Sequence, residues 1–196
     1  KTPDDAKKSL LITKWKIKHQ IDVEDFKAEN PDMNSPWKYM LCSIVREVID
    51  IEALRLRAQH SQAGAVLIFC GDIRNHSQQQ EVSFLEYEAH ESMALKQIYQ
   101  VVEEAQKKWQ LHAVEVIHRL GKLAVKDCSI AIAVSTSHRG DAYEASRYII
   151  DTIKHAVPIW KKEHFVDATA MWSKGCEASS VVDDSAKAPA IVKMRL

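Results

Sequence analysis

The sequence has no net charge, its 27 Lys and Arg being matched by 27 Asp and Glu over 196 residues. General nucleic-acid binding needs a basic excess or stripe, so the balance argues against that class while leaving room for a local basic pocket. No apolar run approaches the roughly 20 residues that span a bilayer. The opening stretch KTPDDAKKSLLITKWKIKHQ is basic but has neither a long apolar core nor a small-residue cleavage site, so no secretory signal is read there. Cysteine is sparse: Cys42, Cys70, Cys128 and Cys176 form no CxxC pair, which gives no support to a zinc knuckle or a dithiol redox motif. Cys70 and Cys128 lie in apolar, strand-like runs and read as small core residues, which fits a reducing, cytoplasmic setting. The histidines show no metal-ligand spacing, no GxSxG elbow supports a Ser-His-Asp triad, and there is no internal repeat.

What is present is ordinary for one globular core: 46% hydrophobic and 28% charged residues. Residues 1–42 mix Lys, Asp, Asn and Pro around Trp15 and Trp37 and are expected to be a weakly structured extension. A strand is expected over 43–49, then a short helix over 51–59 that Asp50 caps, with Ile51, Leu54 and Ala58 on one face. The apolar run 65–70 reads as a buried strand, 71–80 as a loop and 82–88 as a strand. Leu95, Ile98, Val101, Val102, Ala105 and Trp109 recur at helical spacing, which predicts a helix over 92–109. Residues 113–120 alternate, with Val114, Val116, His118 and Leu120 opposite Glu115, Ile117 and Arg119. Gly121 turns the chain, and 128–135 is a second buried strand. A last helix over 141–155 faces the core with Ala142, Ala145, Ile149 and Ile153 and is ended by Pro158. Strands and helices alternate, so the class is α/β or α+β. The tail 176–196 is expected to be mobile.

Three segments can carry chemistry. In Lys154-His155-Ala156-Val157-Pro158-Ile159-Trp160-Lys161-Lys162-Glu163, a lysine closes a helix and two more follow in an extended run. Lys154 is favoured there by the helix dipole, which is also its bland explanation. Lys161 and Glu163 fall on one face of the run, and Trp160, Lys162 and His164 on the other. If Lys154 lies near Arg139 and Lys161, like charge disfavours its ammonium form and a neutral amine becomes available as base or nucleophile. In Ser135-Thr136-Ser137-His138-Arg139 a buried strand gives way to a helix whose free N–H groups suit an anion, with Thr136 or Ser137 as cap. The bland reading is a capped helix start. In Gly71-Asp72-Ile73-Arg74-Asn75-His76, Arg74 is placed for a bidentate contact to phosphate or to a planar ring edge, or is an ordinary loop residue. His118 shares an apolar face and reads as a satisfied core or interface histidine, while Glu88 and His90 are candidates to line a site.

The words GDIRNH, LEYEAH, HRLG, STSHRGDAYEASRYIIDTIK and VPIWKKEHF occur in that order between about Ser43 and Gly175. Together they resemble the large, catalytic subunit of molybdopterin synthase, the MoaE family. The resemblance implies an α+β fold of the α/β hammerhead type with an additional small antiparallel β-sheet, occupying residues 43–175. It implies a sulfurtransferase that converts cyclic pyranopterin monophosphate (precursor Z) to molybdopterin in molybdenum cofactor biosynthesis. The two sulfurs come from the C-terminal thiocarboxylate of a small ubiquitin-like, MoaD-like subunit, and a homodimer carrying two such subunits makes a heterotetramer.

Lys154 and Lys161 match the family's catalytic lysines. Arg74, His138, Arg139 and Lys161 match its substrate-binding residues, with Arg139 drawn from the neighbouring protomer if the site spans the dimer interface. Glu163 and Lys162 would support them, and Lys174 is the match for a basic residue that follows Trp172. No metal and no cofactor are called for, because the sulfur arrives already activated. Two other classes remain open: a non-catalytic subunit that only binds the ubiquitin-like partner, and an acid/base enzyme acting on a phosphorylated heterocycle with free sulfide.

Overall fold

A computed structural model describes residues 40–173. Residues 1–39 of the expected N-terminal extension, the expected mobile tail, Cys176 and Lys174 lie outside the described residues, while residues 40–42, expected to end that extension, are buried in a strand. The main sheet contains β1 (Met40–Val45), β2 (Ala65–Asp72), β5 (Leu111–Arg119) and β7 (Cys128–Thr136). Its order is β1-β5-β7-β2, with β1 parallel to β5 and the other pairs antiparallel. Two helices cover one face, α2 (Glu91–Lys108) and α3 (Arg139–Ala156), and α1 (Ile51–Ala58) covers the other. A second sheet joins β3 (His76–Ser77), β4 (Gln80–Ala89), β8 (Ile159–Phe165) and β9 (Ala170–Trp172) in that order, with β6 (Gly121–Ala124) also on β4. This is the expected α+β hammerhead class with its smaller antiparallel sheet. Among the described residues no helix is long and apolar enough to cross a membrane.

The helices follow their apolar spacing. In α2, Ile98, Val101, Val102 and Ala105 are buried, and in α3 so are Ala142, Ala145, Ile149 and Ile153. These rows meet Val114, Val116, Ile132 and Val134 of the sheet in one core. Asp50 caps α1 as expected, its carboxylate accepting from Ala53 N–H at 2.9 Å. The expected cap of α3 by Thr136 or Ser137 is not formed. His138 occupies the cap position without a side-chain bond, while Thr136 Oγ1 donates to His138 O and Ser137 Oγ pairs with His112 Nε2.

The first strand lies at 40–45, earlier than the expected 43–49. Leu120 N–H donates to Val45 O and closes the ladder, after which Arg46 leaves the sheet to pair with Glu91. The expected buried strand at 65–70 is an edge strand paired only with β7, and none of its residues is fully buried. Cys70 is therefore exposed and Cys128 half-buried, not core residues as expected. The expected loop over 71–80 is largely a hairpin. β2 runs on to Asp72, and the two-residue turn Gln78-Gln79 takes left-handed φ values of 48° and 66° before β4 begins.

One close approach fixes where β2 starts. Gly64 N–H donates to Thr136 O, and a Cβ on Gly64 would lie 2.5 Å from the Ser137 carbonyl oxygen. Gly64→Ala forces two backbone segments apart, and we expect it to lower the unfolding free energy by about 1–3 kcal/mol. Urea unfolding of the two proteins measures this directly, and equal midpoints would show that the segment yields freely.

Candidate active site

The open end of the main sheet meets the second sheet in a cleft of about 520 Å³, within the range that holds a small-molecule ligand. Its floor is apolar, with Ile130 from β7 and Ile150 and Ile153 from α3. Three cations from three separate elements line the cleft, Arg74 from the segment after β2, Lys154 from the last turn of α3 and Lys161 from β8, together with the carboxylates of Asp72 and Glu163. Pro158 makes the two lysines neighbours, because the helix ends with Val157 extended and β8 folds back along β4 from Ile159.

Strand alternation decides which residues of the second sheet reach the cleft. Leu85 and Tyr87 of β4 and Lys161 and Glu163 of β8 face inward. Glu88, a candidate from the sequence, faces the other way and is exposed; His90 caps α2 and is exposed too, so neither lines the cleft. Lys162 also faces outward, its ammonium 5.5 Å from the centre of the Trp172 ring, and His164 stacks on Phe84 and pairs with Glu86.

Lys161 and Glu163 form an ion pair of 2.8 Å, and Glu163 is buried. Burial pushes the Glu163 carboxyl up, but hydrogen bonds from Lys161 and Ser77 and the charges of Lys161 and Arg74 outweigh it and hold it below the usual range. Ser77, in the stretch expected to be a loop, was not legible as a site residue. Lys154 is exposed and has no carboxylate partner among the described residues.

His138 and Arg139 do not join this group within one chain. They open α3, and Lys154 closes it 15 residues later, which at 1.5 Å per residue separates them by about 22 Å. The expected crowding of Lys154 by Arg139 is therefore not made inside a single protomer. Both residues are exposed at the opposite end of the sheet.

His118 is buried, as expected of a core histidine, and it also lines the cleft. Burial lowers its pKa to about 4, against a smaller upward pull from its bond to Arg119 O. The unfolded chain, titrating near 6.5, then binds more protons than the folded one between those values. Its contribution is thus complete above about pH 6.5 and is lost as the pH falls toward 4, up to about 3 kcal/mol in all. Urea midpoints between pH 7 and pH 4.5 should fall more steeply for the wild type than for His118→Gln, and parallel profiles would contradict this.

Comparison with known proteins places this architecture. The profile of the MoaE protein family matches residues 44–156. The molybdopterin synthase catalytic subunit of Halalkalibacterium halodurans is 43% identical over 129 residues, covering 66% of this chain and 78% of that protein. The same subunit from Nostoc sp. is 39% identical over 134 residues, covering 67% and 81%. The crystal structure of molybdopterin synthase from Staphylococcus aureus superposes with a TM-score of 0.63 at 40% identity, covering 66% of this chain and 94% of that one. By the profile match over most of the fold, and by these relatives, the chain belongs to the MoaE family, the catalytic subunits of molybdopterin synthase.

Proposed function

We propose that the cleft binds cyclic pyranopterin monophosphate. There the chain transfers to it two sulfurs, one from the C-terminal thiocarboxylate of each of two copies of a small ubiquitin-like subunit, each copy leaving as a carboxylate after attack by water, to give molybdopterin. The observation that carries this reading is the convergence of Arg74, Lys154 and Lys161, from three elements, around one apolar floor. A thiocarboxylate and a cyclic phosphate are both anions. Bringing them together in a partly desolvated site requires fixed cations to offset their repulsion.

The two lysines divide the work by their partners. Lys161 is held by Glu163 and serves as a fixed charge against the substrate and the charge that develops on it. Lys154 forms no ion pair with a carboxylate among the described residues and is the residue that moves protons at the reacting carbon. Arg74 offers a planar fork to phosphate or to the pterin edge. His138 and Arg139 complete a second protomer's site in a homodimer, and two small subunits make the assembly a heterotetramer. A Helicobacter pylori structure with the same fold, 20% identical, is a complex of subunits 1 and 2 of molybdopterin-converting factor. The domain responsible spans 43–175, and a reducing cytoplasm suits the free thiols of Cys42, Cys70 and Cys128.

The test is a single-turnover assay with the pyranopterin and a thiocarboxylated small subunit. Dithiolene product is expected. A stable complex with the small subunit but no product would favour the purely binding subunit, and turnover on sulfide alone would favour the third class.

A further inference from the structure

One side chain on the floor of the cleft is not used by the chemistry above. His118 ends the row of β5 that Val114 and Val116 begin, so its ring emerges on the α3 side of the sheet. It is only 6% exposed and lines the cleft beside Ile130 and Ile153. Its Nδ1 lies 3.1 Å from Arg119 O. A carbonyl oxygen only accepts, so the shared proton belongs to Nδ1. Burial keeps a second proton off the ring at neutral pH. Nε2 is therefore a lone-pair acceptor, and among the described residues it makes no hydrogen bond within the protein. Tyr87 meets the imidazole at 69° with ring centres 5.3 Å apart, which limits its rotation.

The polar groups of the cleft are thus sorted by depth. The cations Arg74 and Lys154 are exposed together with Asp72, Lys161 is half-buried against the buried Glu163, the buried Ser77 and Ser129 hydroxyls donate to Glu163 and to Gly71 O, and the His118 imidazole is buried beside Ile130 and Ile153. A ligand matching that layout carries its anionic group outward and points a flat ring, with an N–H donor on its edge, toward the floor.

We infer that His118 Nε2 is a recognition atom of the site: it accepts a hydrogen bond from a ring-edge N–H of the bound heterocycle and sets which end of that heterocycle lies innermost. This rests on the reading of the cleft as the pyranopterin site and adds a contact to it. The bond is made alike in the bound substrate and in the transition state, so it sets affinity and orientation and leaves the rate of the bound complex nearly unchanged.

The experiment uses the full chain with its small subunit. Binding of the pyranopterin is measured by calorimetry with the small subunit lacking its thiocarboxylate, and kcat and KM with the thiocarboxylated form. His118→Phe keeps a flat ring and removes the acceptor, whereas His118→Gln restores an amide oxygen at a similar reach. We expect Kd and KM to rise about tenfold in His118→Phe, equivalent to about 1.4 kcal/mol, with kcat within about threefold and small-subunit binding unchanged. His118→Gln should recover most of the affinity. Wild-type affinity in His118→Phe, with wild-type turnover intact, overturns the inference and leaves the proposed function standing. Equal losses in both variants, tracking a fall in Tm, show a merely structural role and also overturn it. If the wild-type complex binds no pyranopterin, the proposed function fails and this inference fails with it.

Discussion

Lys154→Ala is expected to lower the single-turnover rate of dithiolene formation by roughly 100-fold or more, the usual size of an acid/base contribution. The residue sits in the last turn of α3, exposed, and lines the cleft. Removing an exposed side chain that has no carboxylate partner among the described residues costs the fold little, within about 0.5 kcal/mol, apart from a small loss of favourable charge at the helix end. The fall in rate should therefore come with an unchanged Tm and undiminished binding of the small subunit. Lys161→Ala is a less clean test, because it leaves Glu163 buried without its partner and mixes loss of stability with loss of activity. A rate for Lys154→Ala within a few-fold of wild type would remove it from the chemistry and pass the proton-moving role to another group in the cleft.

What could be read from the sequence was what local periodicity encodes. Ala142, Ala145, Ile149 and Ile153 place α3 against the sheet, and Pro158 ends it; both are properties of the neighbouring residues alone. The same logic put Lys161 and Glu163 on one face of β8, where they form their ion pair. The apolar run at 65–70 misleads because burial of a strand depends on neighbours that the run does not name; β2 has a strand on one side only. The Gln78-Gln79 turn hides because both residues adopt left-handed φ without the Asn or Gly that usually signals it. β6 and β9 are short, and they hold their shape through pairing with β4 and β8 rather than through local pattern. Arg139 and Lys154 belong to one helix, yet sequence proximity says nothing about a helix that carries them to opposite ends of the sheet.

The pairing least visible in the sequence carries the largest expected stability effect. Arg57 near the end of α1 and Glu115 in β5 are 58 positions apart, and each alone reads as a solvated charge. In the fold they are 7% and 2% exposed, with Arg57 Nε donating to both Glu115 oxygens at 3.0 Å and Nη2 donating to Oε1 at 2.7 Å. Arg57→Met leaves a carboxylate inside the α1 face of the core, and we expect it to lower the unfolding free energy by about 3–5 kcal/mol at pH 7.5. The double variant Arg57→Met with Glu115→Leu removes both charges and should recover most of that loss, since a buried pair is often replaced by apolar residues at little net cost.

The pH dependence carries a sign that separates this cause from simple loss of packing. Burial pushes the Glu115 carboxyl up, and the guanidinium opposes it only in part. Without Arg57 the upward push is unopposed. A carboxyl whose pKa is raised in the folded state binds its proton more tightly there than in the unfolded chain, so acid favours the fold at this residue. The deficit of Arg57→Met relative to wild type should therefore shrink as the pH falls from 8 to 5. A deficit that is constant over this range, or one below about 1 kcal/mol, would mean that the guanidinium contributes through its stem alone and that the charge pair is not what fixes α1 on the sheet.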